Sequence, residues 1–184
     1  MFTFAFVAEE FNQVYLSLGS NSGDRIQMLR KAIDGLSEIS IVNKISGVYE
    51  TQAWGNTTQA DYLNLAMLVQ TKTGAADFML QLLSLEQKLG RIRNEKWEPR
   101  IIDIDILFFN SEIIDTSTLK VPHPFLQERK FVLAPLNEIC PGLFHPILNK
   151  RVATLLEKCS DNLQVKKLSE TIFSNHHSTS ISKP

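Results

Sequence analysis

The sequence predicts an α+β fold, a mainly antiparallel sheet with helices packed on one of its faces. Three observations carry this. Apolar residues recur at three and four residues in two separate stretches, the mark of amphipathic helices. Several short runs are rich in β-branched and aromatic residues, the mark of strands. Their order along the chain is strand, helix, strand, strand, helix, strand, the ferredoxin-like βαββαβ arrangement.

Residues 13–18 (QVYLSL) read as the first strand, closed by Gly19, Ser20, Asn21, Ser22 and Gly23. From Asp24 the pattern becomes helical, with Ile26, Leu29, Ile33 and Leu36 on one face. Asn21 or Ser22 is the expected N-cap. Residues 41–51 and 61–71 read as two strands joined by a loop from Gln52 to Ala60 that contains Trp54. A second helix is expected over 74–89, with Phe78, Leu82, Leu85 and Leu89 as its stripe and Gly90 as its stop. Residues 101–109 (IIDIDILFF) form the strongest strand pattern. Ser111 and Glu112 suggest a hairpin into a short strand near 113–115. Residues 121–125 are too rich in proline for regular structure. Residues 131–136 read as extended or helical, and a short helix is expected near 151–158. The predicted organisation is an extension over 1–12, one domain over 13–159 and a loose tail over 160–184, where Ser, Asn and His dominate.

Composition narrows the function. Of 184 residues, 43% are apolar and 21% charged, and the net charge is −1. Near-neutrality argues against bulk nucleic acid or an anionic membrane as the main partner. No apolar run is long enough to span a bilayer. The apolar start is followed by Glu9 and Glu10 and preceded by no basic residue, the reverse of a secretory signal. Cys140 and Cys159 form neither a disulfide framework nor a zinc spacing, so a reducing, cytoplasmic setting is expected.

Charge is segregated rather than absent. Asp103 and Asp105 alternate with Ile102, Ile104 and Ile106, so both carboxylates share one face of their strand. Two adjacent acids repel unless a cation compensates, and Mg²⁺ favours one or two carboxylates completed by phosphate oxygens and water. A solvated strand edge is the plainer alternative for such a pair. From Lys88 to Arg100, however, five basic residues (Lys88, Arg91, Arg93, Lys96, Arg100) face only two acids (Glu95, Glu98). Arginine binds phosphate bidentately. Acids for metal beside arginines for phosphate suit a nucleotide polyphosphate.

Other residues fit the same picture. His123 is held between Pro122 and Pro124, with Arg129 and Lys130 downstream. It is either a stiffly presented phosphate contact or an ordinary turn histidine. Tyr62 and Asn64 share a strand face, so a flat heterocycle could stack on the tyrosine while the amide reads its edge, with Phe131 as the opposite wall. Core packing would explain these three residues equally well. Trp54 and Trp97 stand in loops, where they either exclude water or pack down.

The stretch Lys96–Leu107 (KWEPRIIDIDIL) resembles the signature of the 6-hydroxymethyl-7,8-dihydropterin pyrophosphokinase family. The resemblance extends through L-G-S-N (18–21), Y-E-T (49–51), D-Y-L-N (61–64), E-Q-K-L-G-R-I-R (86–93), V-P-H-P (121–124) and 129–135, in the family's order. It implies pyrophosphate transfer from ATP to 6-hydroxymethyl-7,8-dihydropterin within folate synthesis, with two Mg²⁺ ions as cofactors. The implied metal ligands are Asp103 and Asp105, and the implied catalytic arginines are Arg91, Arg93 and Arg100. Glu86, Trp97, His123 and Arg129 would join those arginines around ATP. Gly19, Thr51, Trp54, Tyr62, Asn64 and Phe131 would form the pterin site. Glu98, Gln52 and Pro124 depart from the usual family residues. The expected protein is a monomer that binds neither nucleic acid nor membrane. The alternatives are an RNA-binding module, whose aromatic signature run is absent, and an Mg²⁺-dependent phosphohydrolase.

Overall fold

The computed structural model describes residues 10–53, 60–91 and 100–169. The chain runs β1 (Asn12–Ser20), α1 (Arg25–Ile39), β2 (Ile41–Ile45), β3 (Tyr49–Thr51), β4 (Tyr62–Thr71), α2 (Ala75–Lys88) and β5 (Asp103–Phe109). The hairpin of β6 (Ile114–Asp115) and β7 (Lys120–Val121) follows, then α3 (Lys130–Ile139). A second small hairpin of β8 (Phe144–His145) and β9 (Lys150–Arg151), α4 (Val152–Glu157) and β10 (Val165–Lys167) complete the described chain. The main sheet has the order β10-β3-β4-β1-β5, with β2 also on β4, and every pairing in it is antiparallel. Among the described residues no helix is long and apolar enough to cross a membrane.

Strand alternation sorts the side chains into two layers. Val14, Leu16, Leu18, Leu65, Met67, Ile104 and Ile106 pack against Leu29, Ile33 and Leu36 of α1 and Phe78 and Leu82 of α2. On the opposite face, Tyr15, Ala66, Leu107 and Phe108 pack against Val132, Leu133 and Leu136 of α3 and Leu155 of α4. Helices therefore cover both faces, not one as the sequence predicts. The second layer arises because 130–139 is helical, and because β5 carries an irregularity. Tyr15 pairs with Phe108 and Leu16 with Ile106, so Leu107 is an extra residue. This bulge places both Leu107 and Phe108 under α3.

Other boundaries also shift. The single strand expected over 41–51 is broken after Ile45. Ser46 bridges the break: its N–H donates to Ala66 O at 2.9 Å, and its Oγ accepts from Ala66 N at 2.9 Å. The N-cap of α1 is Asp24, which accepts from Gln27 N at 3.0 Å, so neither Asn21 nor Ser22 serves. Gly90 stops α2 in the left-handed region (φ 93°) that only glycine occupies without strain. Asn110, also left-handed, turns the chain after β5, but β6 pairs with β7 rather than back onto β5. Val165–Lys167, expected within a loose tail, forms β10 on the edge of β3.

Glu138 of α3 ties this edge together. It accepts from Gly47 N at 3.1 Å, Tyr49 Oη at 2.8 Å and Lys167 Nζ at 2.9 Å. Burial alone would push its carboxyl up, but the bonds from Lys167, Tyr49 and Gly47 outweigh this and hold it below its ordinary value. An acid depressed on folding stabilises the native state above its unfolded value and loses that contribution as pH falls through the folded value. Glu138→Gln is therefore expected to be less stable than wild type near neutral pH. The gap closes as pH falls below about 4, which urea midpoints at the two pH values will check.

Candidate active site

On the second face of the sheet, α3 and α4 cover the end bearing Tyr15 and Phe108. The other end presents Gly19, Tyr62, Asn64, Asp103 and Asp105 on that same face, as strand alternation requires. Register brings them together. Gly19 lies opposite Asn64 on one side and Asp103 on the other, Ser17 opposite Asp105, and Thr51 opposite Tyr62. Asn64 Nδ2 donates to Thr51 Oγ1 at 2.7 Å, and both residues are buried. Gly19 makes this possible: a Cβ there would lie 2.9 Å from Asn64 Oδ1. Without a side chain, β1 lets the amide lie across it.

Asp103 and Asp105 differ in environment. Asp105 is exposed, whereas the Asp103 side chain is 17% exposed and pairs with Arg91 Nη2 at 2.6 Å and Arg100 Nη1 at 2.9 Å. Burial pushes the Asp103 carboxyl up, Arg91 and Arg100 oppose this, Asp105 adds to it, and the net shift is upward. Behind the pair sits Glu86, 2% exposed. Its Oε1 accepts from Ile104 N, between the two aspartates, at 2.7 Å, and also from Arg91 Nη1. Arg91 thus bridges Glu86 and Asp103. Burial pushes the Glu86 carboxyl up despite the bonds from Ile104 and Arg91. The result is a cluster of carboxylates that two arginines only partly neutralise. Its oxygen donors suit a hard divalent cation, and the described residues hold no group of three or more ligating side chains. Substrate oxygens and water would have to complete the shell, which is how Mg²⁺ is usually held. The residues therefore fit the ion.

Across the cleft, His123 N donates to the carbonyl of the bulge residue Leu107 at 3.0 Å. Burial lowers the imidazole pKa, Asp105 opposes this and Arg129 adds to it. The ring is then neutral at neutral pH. Phe125 N donates to Nδ1 at 3.3 Å, so the proton sits on Nε2, which is left as a donor. The Arg129 guanidinium lies over Phe125 (5.4 Å) and Phe131 (5.9 Å). Burial lowers the Arg129 pKa and Asp105 partly restores it, so this arginine and His123 both feel the acid pair. Tyr62 feels it too, since its phenol is pushed up by burial and then by Asp103.

Among the residues expected to form the site, Gly19, Thr51, Tyr62, Asn64, Glu86, Arg91, Arg100, Asp103, Asp105, His123, Arg129 and Phe131 are linked by these contacts and fields. Trp54, Arg93, Trp97 and Glu98 lie outside the described residues.

Two residues at the end of β1 have a part in this site that the sequence reading does not give them: Ser20 enters there only as a neighbour of Gly19 near the pterin floor, and Asn21 only as a candidate helix cap. Ser20 Oγ donates to Ile101 O at 2.6 Å. Asn21 Oδ1 accepts from Arg100 N at 2.7 Å, and its Nδ2 reaches Ala60 O at 3.5 Å. Both are buried and small, at a strand end, where side-chain to backbone bonds are favoured. That placement was the available signal. For Glu86 a stronger one existed: Phe78, Leu82 and Glu86 follow each other at four-residue steps on the buried face of α2. A carboxylate continuing an apolar stripe is costly unless something pairs with it.

An antiparallel sheet that gathers an acid pair, two arginines, a histidine and the half-buried Tyr62 on one face suits a nucleotide-dependent phosphoryl-type transferase. The family model of 7,8-dihydro-6-hydroxymethylpterin-pyrophosphokinase matches residues 15–141, and the chain belongs to that family. It is 47% identical over 137 residues to the 2-amino-4-hydroxy-6-hydroxymethyldihydropteridine pyrophosphokinase of Aquifex aeolicus, covering 74% of this chain and 86% of that protein. It is 39% identical over 171 residues to the protein of the same name from Bacillus subtilis, covering 92% and 99%. The solved Plasmodium falciparum HPPK-DHPS shares the fold, with a TM-score of 0.67 at 16% identity over 81% of this chain. This chain spans 43% of that longer protein.

Proposed function

We infer that this chain transfers the pyrophosphoryl group of ATP to the hydroxymethyl oxygen of 6-hydroxymethyl-7,8-dihydropterin, a step of folate biosynthesis. The hydroxyl oxygen bonds to the β-phosphorus, the bond from that phosphorus to the α,β-bridging oxygen breaks, AMP departs and the hydroxyl proton is released. One observation carries the reading: Asp103, bound to two arginines and sharing a strand face with Asp105, lies in register with Gly19 and through it with the Asn64–Thr51 pair.

Tyr62 and Phe131 sandwich the pterin ring, and Asn64, steadied by Thr51, reads its edge. Arg91 and Arg100 exchange Asp103 for polyphosphate oxygens, for which the guanidinium fork is well shaped. The family resemblance assigns Arg93 and Trp97 to that same task and Trp54 to the pterin. His123 donates from Nε2 to a phosphate, and Arg129 adds a second cation. Asp103 and Asp105 would hold two Mg²⁺ ions, which would supply charge neutralisation for the polyphosphate. Glu86 holds Ile104 N and so sets the pitch of both aspartates.

The strand order β5-β1-β4-β2, with α1 and α2 on one face, supports a ferredoxin-like frame to which β3, β10, α3 and α4 are added. The free thiols of Cys140 and Cys159 agree with a cytoplasmic setting. Acids on the open half of the sheet face disfavour an RNA backbone there.

The test mixes protein, Mg²⁺, ATP and the hydroxymethyl dihydropterin. AMP and pyrophosphorylated pterin are expected in equal amounts, and only with pterin present. Inorganic phosphate released without pterin would instead establish a phosphohydrolase. Arg91→Ala is expected to lower kcat about a hundredfold while changing pterin affinity by less than about threefold. A defect confined to pterin affinity would contradict the role given to Arg91.

A further inference from the structure

The segment beyond the family match reaches back to the site. The match ends at residue 141, yet Asp161 Oδ2 accepts from Lys130 N at 3.0 Å, while its Oδ1 accepts from Leu163 N at 3.1 Å. Lys130 opens α3 and separates Arg129 from Phe131. The residue at the N-cap position, Arg129, makes no side-chain capping bond. A helix start leaves backbone donors without internal partners, and a short carboxylate is well suited to accept from them. Here the acceptor comes from a distant part of the chain.

The same segment then pairs with β3. Val165 lies opposite Thr51, and Leu168 N donates to Val48 O at 2.8 Å. Thr51 is the partner of Asn64 and lies opposite Tyr62. Residues 161–168 therefore touch the turn that carries Phe131 at one end and the strand that backs Asn64 at the other. Lys167 adds a tie to Glu138 of α3.

We propose that Asp161 is a positioning residue of the pterin site, fixing the Arg129–Phe131 turn, and that 161–168 straps this turn to β3. This rests on the pterin reading above. The strap sets the gap between the two aromatic walls, so its loss acts on pterin capture. Lys130 N requires an oxygen acceptor rather than a charge: Asn keeps one oxygen for it while giving up the bond from Leu163 N, whereas Ala keeps neither.

Steady-state kinetics of the full chain test this, with Tm measured in parallel. Asp161→Ala is expected to lower kcat/KM for pterin about five- to tenfold with Tm within about 3 °C of wild type, and Asp161→Asn to restore it. Asp161→Ala with wild-type kinetics, or with a lowered Tm alone, overturns the proposal. Asp161→Asn as impaired as Asp161→Ala overturns it as well. Should Asp161→Ala fail to fold, hydrogen exchange of the wild-type Lys130 amide decides, because an unprotected amide overturns the capping bond. A wild-type chain that makes no AMP with pterin removes the underlying reading, an outcome distinct from all of these.

Discussion

Replacing Asp105 with Ala is expected to abolish turnover and to leave the fold intact. The expected fall in kcat is at least about a thousandfold, since metal-assisted charge stabilisation is worth several kcal/mol. Asp105 is exposed and packs against nothing essential, so its removal is expected to shift stability by no more than about 0.5 kcal/mol. Asp103→Ala is expected to be equally inactive but to differ in kind, because it also removes the carboxylate that Arg91 and Arg100 share and leaves Arg91 with Glu86 alone. Kinetics in saturating Mg²⁺, beside thermal melts of both purified variants, check the pair. Near-normal activity in either one removes the metal assignment.

The largest stability effect is expected at Glu86. It is buried, holds Ile104 N and pairs with Arg91. Glu86→Ala strands a buried donor and half of a buried ion pair, and is expected to cost about 3 kcal/mol. Glu86→Gln keeps an acceptor for Ile104 N and gives up a carboxylate that burial already disfavours, so its expected loss is below about 1.5 kcal/mol. Urea unfolding of the two variants separates these outcomes. Equal losses would show that charge, rather than the bond to Ile104, is what matters there.

Much of the frame was legible because it obeys simple periods. The stripe Leu29, Ile33, Leu36 and the alternation of Asp103 and Asp105 with isoleucines each follow from one geometric rule. What escaped depends on distant partners. The Ser46-Gly47 pair marks a break inside the run 41–51, but what fixes the break is distant, because the Ser46 hydroxyl substitutes for the ladder at Ala66. Asn21 looks like a helix cap but spends its amide on Arg100 and Ala60, leaving capping to Asp24. The strand at 165–167 has only three residues, two of them lysines, so no alternation marks it. The acid pair and its arginines were legible within the site because they are neighbours in sequence. The link from Asp161 to Lys130 was not, because nothing local requires it.

The bulge at Leu107 bears on how this enzyme could be re-engineered. Leu107 and Phe108 share a side of the sheet at the bulge, so Leu107 can be removed on paper without turning any neighbour over. Without it, Asp103, Asp105, Phe108 and Phe109 keep their sides of the sheet. The carbonyl that holds His123 belongs to this supernumerary residue. A one-codon deletion there would spare the acid pair and withdraw the anchor of the histidine across the cleft. The acid pair and His123 are thus separable by a change in chain length, a lever that no side-chain substitution supplies.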